Sequence, residues 1–399
     1  MRTCDSAWRL TSSGMLSGLL DGAIVLDFAK TSRKTNPSDD TCGVTVSVMP
    51  VLIFSVALCA VPAAPPAPVE IRSGVRFGET LGSPITLVVE NRDWRNWEKK
   101  MSARPEDRDP SITVTRPRPG HADLAGVLKY QHDDVRNVLE RASARETAAR
   151  VAIGGVAKAL LRPFGVAVRG WVAEIGGIVA DHAGKDAEEI FAAAERSEVR
   201  MADPEAERRI IAAIDHCKTR GDTLGGIVEV RATGLPPGLG SHVHWDRKLD
   251  GRLGHALLSL QAAKGVEIGL GFETARRPGS AVHDEIYFDE RTREFTRRTN
   301  NAGGTEGGMS SGAPLLARVA FKPLSTLMKP LHSVDVRSKE ESKGAIERSD
   351  VCAIPAAAVI AEAVVAFVVA DAFLEKFGGD SLVEIRRNYE GYLEQVKNY

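Results

Sequence analysis

From residue 69 onward the apolar positions of the chain follow first one period and then another. Glu70 to Asn96 (EIRSGVRFGETLGSPITLVVENRDWRN) alternates short β-branched runs with Gly-containing turns, which predicts antiparallel hairpins at the edge of a sheet. Val135 to Ala180 changes to Ala, Leu and Val at three- and four-residue spacing, which predicts helix, and a second helical stretch is predicted from about Asp203 to Cys217. Ile227 to Ala232 (IVEVRA) has the alternation of a half-buried strand. GLPPGLGSHVHW after it is loop by its Gly and Pro content, and His255 to Ala263 is predicted helical again. Pro355 to Phe377 (PAAAVIAEAVVAFVVADAFLEKF) is apolar enough to span a membrane, but Glu362 and Asp371 fall inside it. Pro355 suits a first helical turn and Gly378-Gly379 a helix end, so the expectation is a buried core helix. Strands, helices, then strands and helices again, with the plan roughly repeated in each half, predict an α+β fold of packed layers.

Ahead of PPAPV (Pro65 to Val69) the composition differs. Residues 1–68 are rich in Ser, Thr and Cys, hold three of the five cysteines and contain no histidine. They are expected to stand apart from a domain covering 69–399, as a frame-shifted or disordered segment. Within them Val44 to Ala64 is mostly apolar and ends in small residues, yet it starts far from the N-terminus and Pro50 interrupts it. Neither an export signal nor a membrane helix is expected there.

The chain as a whole, 399 residues with 43% hydrophobic and 26% charged, can bury a sizeable core. A formal net charge of −1 gives no global attraction to nucleic acid or an acidic membrane, so any anion site must be local. Cys4, Cys42, Cys59, Cys217 and Cys352 are scattered without metal spacing, which fits a reducing, cytoplasmic setting.

Two local anion sites stand out. RPRPGHADLAG (Arg116 to Gly126) with ERASARETAAR (Glu140 to Arg150) forms one. RRTNNAGGTEGGMSSGAPLLARVAFKPLST (Arg297 to Thr326) forms the other. Both join Arg or Lys to Gly and Ser, so that backbone N–H groups, hydroxyls and cationic forks can converge on a polyanionic small molecule. The bland reading of Arg141 and Arg145 is a solvated helix face paired with Glu146, and that of the Gly303 to Gly312 run is a flexible linker. The run has neither P-loop nor dinucleotide-fold order. His121, in a Pro- and Gly-rich turn beside Asp123, is either an accessible acid or a cap for the helix that follows. His242 and His244 have metal-like spacing without a third ligand, and no metal is expected. Asp350 follows Arg348 closely enough for a salt bridge.

In order and context, RSGVRFGETLGSPI, NRDW, RPGHADLAG, ERASARETAARVA, GLGSHVHWDRKLDGRLGHALLSLQAAKGVEIGLGF, NNAGGTEGGMSSGAPL, KPLST, RSDVCAIPA and EKFGGDSLVE resemble the chorismate synthases over about five-sixths of the chain. The resemblance implies a homotetramer of β-α-β sandwich subunits with internal pseudo-duplication, helices lying between antiparallel sheets. It also implies a lyase that ends the shikimate pathway, the route to the aromatic amino acids. In that reaction 5-enolpyruvylshikimate-3-phosphate loses phosphate and a ring hydrogen in a 1,4-anti sense beside reduced FMN, with no net redox change, and NADPH serves some members as reductant. Carried over, the FMN contacts are Arg141, Ala142, Ser143, Gln261, Ala262, Gly307, Lys322, Pro323, Leu324, Ser325, Thr326 and Arg348. His121 becomes a general acid near the flavin, and Asp350 the carboxylate that helps at its N5.

The resemblance stops sharply before VEIRSG. The family begins with a GESHG strand, whose histidine protonates the departing phosphate, and continues to an RRxxGxGRG stretch that binds substrate; residues 1–68 contain neither. The reading carried forward is an active lyase of this kind; because one general acid is worth roughly 100- to 10,000-fold in rate, the alternative is a catalytically impaired flavin-binding remnant.

Overall fold

The computed structural model describes residues 69–347 and 349–399, with the backbone alone of Val44–Ser47, Ser55–Val56 and residues 67–68. The rest of the apolar stretch Val44 to Ala64, the remainder of 1–68 and Arg348 lie outside the described residues.

The first sheet is built from β1 (Val44–Ser47), β2 (Ser55–Val56), β3 (Ala67–Ser73) and β4 (Thr86–Val89), in the antiparallel order β1-β4-β3-β2. A helical region follows: α1 (Asp123–Tyr130), α2 (Arg136–Arg141) and α3 (Thr147–Leu161). Next come β5 (Ala167–Ile175), β6 (Ile178–Val179), α4 (Ala187–Ala194), α5 (Pro204–Thr219), β7 (Gly226–Thr233), α6 (Leu249–Leu258), β8 (Ala263–Ile268) and β9 (Leu315–Phe321). The second sheet runs β8-β9-β7-β5-β6, all antiparallel. The chain ends in α7 (Ile354–Phe377) and α8 (Leu382–Lys397).

Between the sheets lie α3 and α7. Ala148, Ala152 and Val156 of α3 pack on Val69, Ile85, Leu87 and Val89 of the first sheet. α7 packs on the second, where Leu315, Ala317, Val319 and Phe321 alternate inward along β9. The two helices touch through Gly154, where a Cβ would collide with Ala363, so their axes approach more closely than larger side chains permit. The expected helices between antiparallel sheets are therefore present.

Within α7, Glu362 is buried but satisfied. It pairs with Lys158 of α3, accepts the Gly170 amide at 2.7 Å and lies 3.8 Å from Arg200. Asp371 pairs with Arg252 of α6. α7 is the one helix among the described residues long and apolar enough to cross a membrane, and 72% of its apolar window is buried against the rest of the molecule. It is a core helix whose charges meet partners inside the fold.

Two sequence expectations need correction. Val135 to Ala180 is not one helical region, because α3 ends at Leu161, where Pro163 and a left-handed Gly165 stop it, and Ala167–Ile175 is a strand. Ala, Val and Gly serve a buried strand as readily as a buried helix. Likewise the helix placed over His255 to Ala263 is α6, Leu249–Leu258, and Ala263 opens β8. α5 begins after Asp203, whose side chain accepts the amides of Glu205 and Ala206, with Pro204 at its first position.

Candidate active site

One end of the second sheet gathers most of the sequence-predicted residues. β9 leaves the core at Phe321 and runs into Lys322–Thr326. The Lys322 amide donates to Ala262 O at 3.0 Å, so Gln261 and Ala262, just before β8, lie beside this loop. Ala262 has φ +66°, a left-handed conformation that is strained for a residue with a Cβ. From the segment leading into β7, Thr223 Oγ1 donates to Leu324 O at 2.7 Å, and the Leu224 amide donates to Val351 O at 2.9 Å. The backbone thereby ties half-buried Asp350 to the same loop.

The turn RPRPGHAD closes over Lys322–Thr326 from the other side. Lys322 Nζ donates to Gly120 O, and Arg118 Nη1 donates to Thr326 Oγ1 at 2.8 Å. Arg118 and Asp123 are both buried, in a forked pair with Nε to Oδ2 at 2.9 Å and Nη2 to Oδ1 at 3.2 Å. His121 Nδ1 makes a short contact with Asp123 Oδ1, and Arg118 Nη2 lies 3.1 Å from the same ring nitrogen. Burial pushes the Asp123 carboxyl up, but hydrogen bonds from His121 and Arg118 more than cancel this and hold it well below the usual carboxylate range. His121 is not a helix cap: Ala122 stands at the N-cap of α1, and no side chain caps it.

A third wall comes from the RASARE segment. Ser143 caps the turn Ala144–Glu146 by accepting the Arg145 amide at 3.3 Å. Glu146 accepts from Gln261 Nε2 at 2.7 Å and pairs with Arg150 at 2.9 Å, which joins Arg141–Ser143 to the Gln261 side of the cluster. Glu146 is thus not the partner of Arg141 or Arg145. Arg145 pairs instead with Glu140 at 3.4 Å and lies over the Trp97 ring, and Arg141 is exposed.

Gly307 stands elsewhere. It lies at the exposed tip of the otherwise largely buried Thr305–Ser310 hairpin, next to His242, at the Leu315 end of β9. β9 spans seven residues, so about 20 Å of strand separates it from Lys322. His242 and His244 share this exposed end, and among the described residues no group of three or more His, Cys, Asp or Glu could hold a metal.

Sequence reasoning missed Arg118, Asp123 and Glu146 as connecting residues. The signal was weak: Arg118 stands between two prolines, but its partner Thr326 is 208 residues away.

The arrangement offers an imidazole with one nitrogen engaged, cationic and hydroxyl donors on a loop, and an amide oxygen, Gln261 Oε1, buried with no hydrogen-bond partner. That set suits a planar heterocycle carrying a phosphate.

The chorismate synthase family model matches residues 65–374. The chorismate synthase of Geobacter metallireducens is 61% identical over 337 residues, 83% of this chain and 86% of its own length. That of Symbiobacterium thermophilum is 61% identical over 334 residues, 82% and 85% of the two chains. A crystal structure of chorismate synthase superposes with a TM-score of 0.68 at 43% identity, covering 83% of this chain and 85% of the other. On sequence, fold and the gathering of its motifs at one end of a sheet, this chain, a lyase, belongs to the chorismate synthase family.

Proposed function

We propose that the chain binds FMN at the Lys322 end of the second sheet and there converts 5-enolpyruvylshikimate-3-phosphate to chorismate by 1,4-anti elimination of phosphate. The observation that carries this reading is the convergence of His121, Gln261, Ala262 and Lys322–Thr326 on one face, from segments far apart in sequence. Reduced FMN, with NADPH as candidate reductant, would supply electron density that helps the phosphate leave and then recover it.

The residues divide the work by chemistry. Lys322, Ser325 and Thr326 offer a cation and hydroxyls to a phosphate, with Arg141 and Ser143 on the facing wall. Gln261 Oε1 accepts a ring or ribityl donor, which satisfies an otherwise orphaned buried oxygen. His121, held at Nδ1, presents Nε2 for proton transfer. Asp350 is tied to the loop through Leu224 and supplies the nearby carboxylate; Arg348, outside the described residues, keeps the anion-binding role that the family resemblance implies. Gly307 is contributed to a flavin at the Lys322 end by a second subunit of the homotetramer. Residues 1–68 give this site no histidine, and we assign catalysis to 69–399 in a cytoplasmic enzyme.

Flavin titration tests the pocket. The chain is expected to quench FMN fluorescence on binding, with Lys322→Ala and Gln261→Leu each weakening affinity by about 10-fold, the scale of one charge-assisted or buried hydrogen bond. Absence of FMN binding by the unaltered chain, or full affinity in both variants, would contradict the placement.

A further inference from the structure

From the buried contacts around His121 we infer that Asp123 is the positioning residue of the acid: it fixes His121 as the Nδ1–H tautomer, so that Nε2 alone exchanges protons with the reacting groups. This inference rests on the proposed role of His121.

The argument is one of donors and acceptors. Asp123 is fully buried at the first position of α1, and its two oxygens accept from the Arg118 amide at 3.0 Å, Arg118 Nε at 2.9 Å and Arg118 Nη2 at 3.2 Å. With its carboxyl held well below the usual range, it is ionised and can only accept. The close Nδ1 to Oδ1 approach is then a hydrogen bond only if the ring donates. The competing arrangement has Arg118 Nη2 donating to a bare Nδ1, which would place that lone pair against the Asp123 oxygen. Nη2 already has Asp123 Oδ1 as acceptor, so the competitor gains little and suffers repulsion.

The same residue connects the acid to the loop. Arg118, clamped by Asp123, reaches Thr326 with its Nη1, and Lys322 grips Gly120 one residue before His121. Moving Asp123 would therefore turn the imidazole relative to Lys322–Thr326. The charged groups around His121 are Arg118 and Asp123 from its own turn and Lys322 from the facing loop.

Three readouts separate this role from a merely structural one. In the full chain labelled with ¹⁵N-histidine, the signal that disappears in His121→Ala is expected to show a protonated Nδ1 and a bare Nε2 at neutral pH. The opposite tautomer, or an even mixture, would overturn the inference without any need for catalytic turnover. In anaerobic assays Asp123→Asn is expected to lower kcat by about 10- to 100-fold with little change in KM or FMN affinity, the scale on which orienting partners act. Added to His121→Ala, it should cost almost nothing more, because a residue acting through the imidazole has nothing left to position. Full additivity, or parallel losses in FMN affinity, KM and kcat, would mean that Asp123 only supports the fold. If His121→Ala leaves activity intact, it is the acid role that fails, and the tautomer measurement still decides what Asp123 does.

Discussion

The two ends of β9 are built from opposite materials. At the Lys322 end the chain buries charge and stores strain: Arg118 and Asp123 are removed from water, and Ala262, with a side chain, occupies a left-handed backbone. At the Leu315 end the left-handed positions are glycines. Gly303 packs so tightly on Gly269 that a Cβ would collide with it, and the Leu316 amide donates to Gly303 O at 3.0 Å. The polar groups there are mostly amides and hydroxyls. Ser310 Oγ donates to Pro236 O at 2.6 Å and accepts the Leu239 amide at 2.8 Å. Asp284 accepts the Asn301 and Ala302 amides at 2.8 and 2.9 Å. Both ends bury a carboxylate, but Asp284 is met by two amides and a hydroxyl, whereas Asp123 is met by a guanidinium and an imidazole close to a strained non-glycine residue. The ionic cluster stands at the end where we place the chemistry.

The strongest way to break this contrast is to remove His121, the acid we propose. His121→Ala is expected to lower chorismate formation by about 100- to 10,000-fold while FMN affinity stays within a few-fold, measured anaerobically with saturating substrate. At the other end Ser310→Ala should do the reverse. It strands the buried Leu239 amide and Pro236 carbonyl, at about 1–3 kcal/mol of stability by chemical denaturation, with kcat per folded molecule unchanged.

Acid sharpens the comparison. Asp284 is pushed up by burial, but the Thr299 hydroxyl and two amides pull it below its ordinary value, and Asp123 is pulled lower still. A depressed carboxylate contributes stability above its unfolded pKa of about 3.9, and that contribution is lost as pH falls through the folded value. Thermal melts from pH 6 to 2 should therefore show Asp284→Asn flattening the acid slope below the unfolded carboxylate range. Asp123→Asn should flatten it more and to lower pH. Equal slopes in the two variants would erase the difference between the ends. The smallest effect is expected from Ala262→Gly, which relieves left-handed strain and should raise stability by less than about 1 kcal/mol.

The sequence showed some of this readily. α5 was legible through Asp203 and Pro204, and α7 through Pro355 and the glycines after it, because caps and breakers act locally. The strand Ala167–Ile175 was hidden, since being buried it shares its small apolar residues with the helix before it. The site divides in the same way. His121 and Lys322–Thr326 were visible as motifs, but the Arg118–Thr326 and Gln261–Glu146 hydrogen bonds join residues more than one hundred positions apart, and spacing carries no trace of them. Gly307 sits in a motif as clear as any, yet the fold places it at the far end, because β9 lies between it and the loop.

The central claim, that residues 69–399 hold a working elimination site at the Lys322 end, is tested most directly by one anaerobic assay. The chain is mixed with reduced FMN and 5-enolpyruvylshikimate-3-phosphate, and chorismate and phosphate are followed together. The account predicts both products in equal amounts, with the rate collapsing in His121→Ala. Bound flavin with no chorismate would contradict it, and would mean that the segment lacking the family's first histidine is where catalysis was lost.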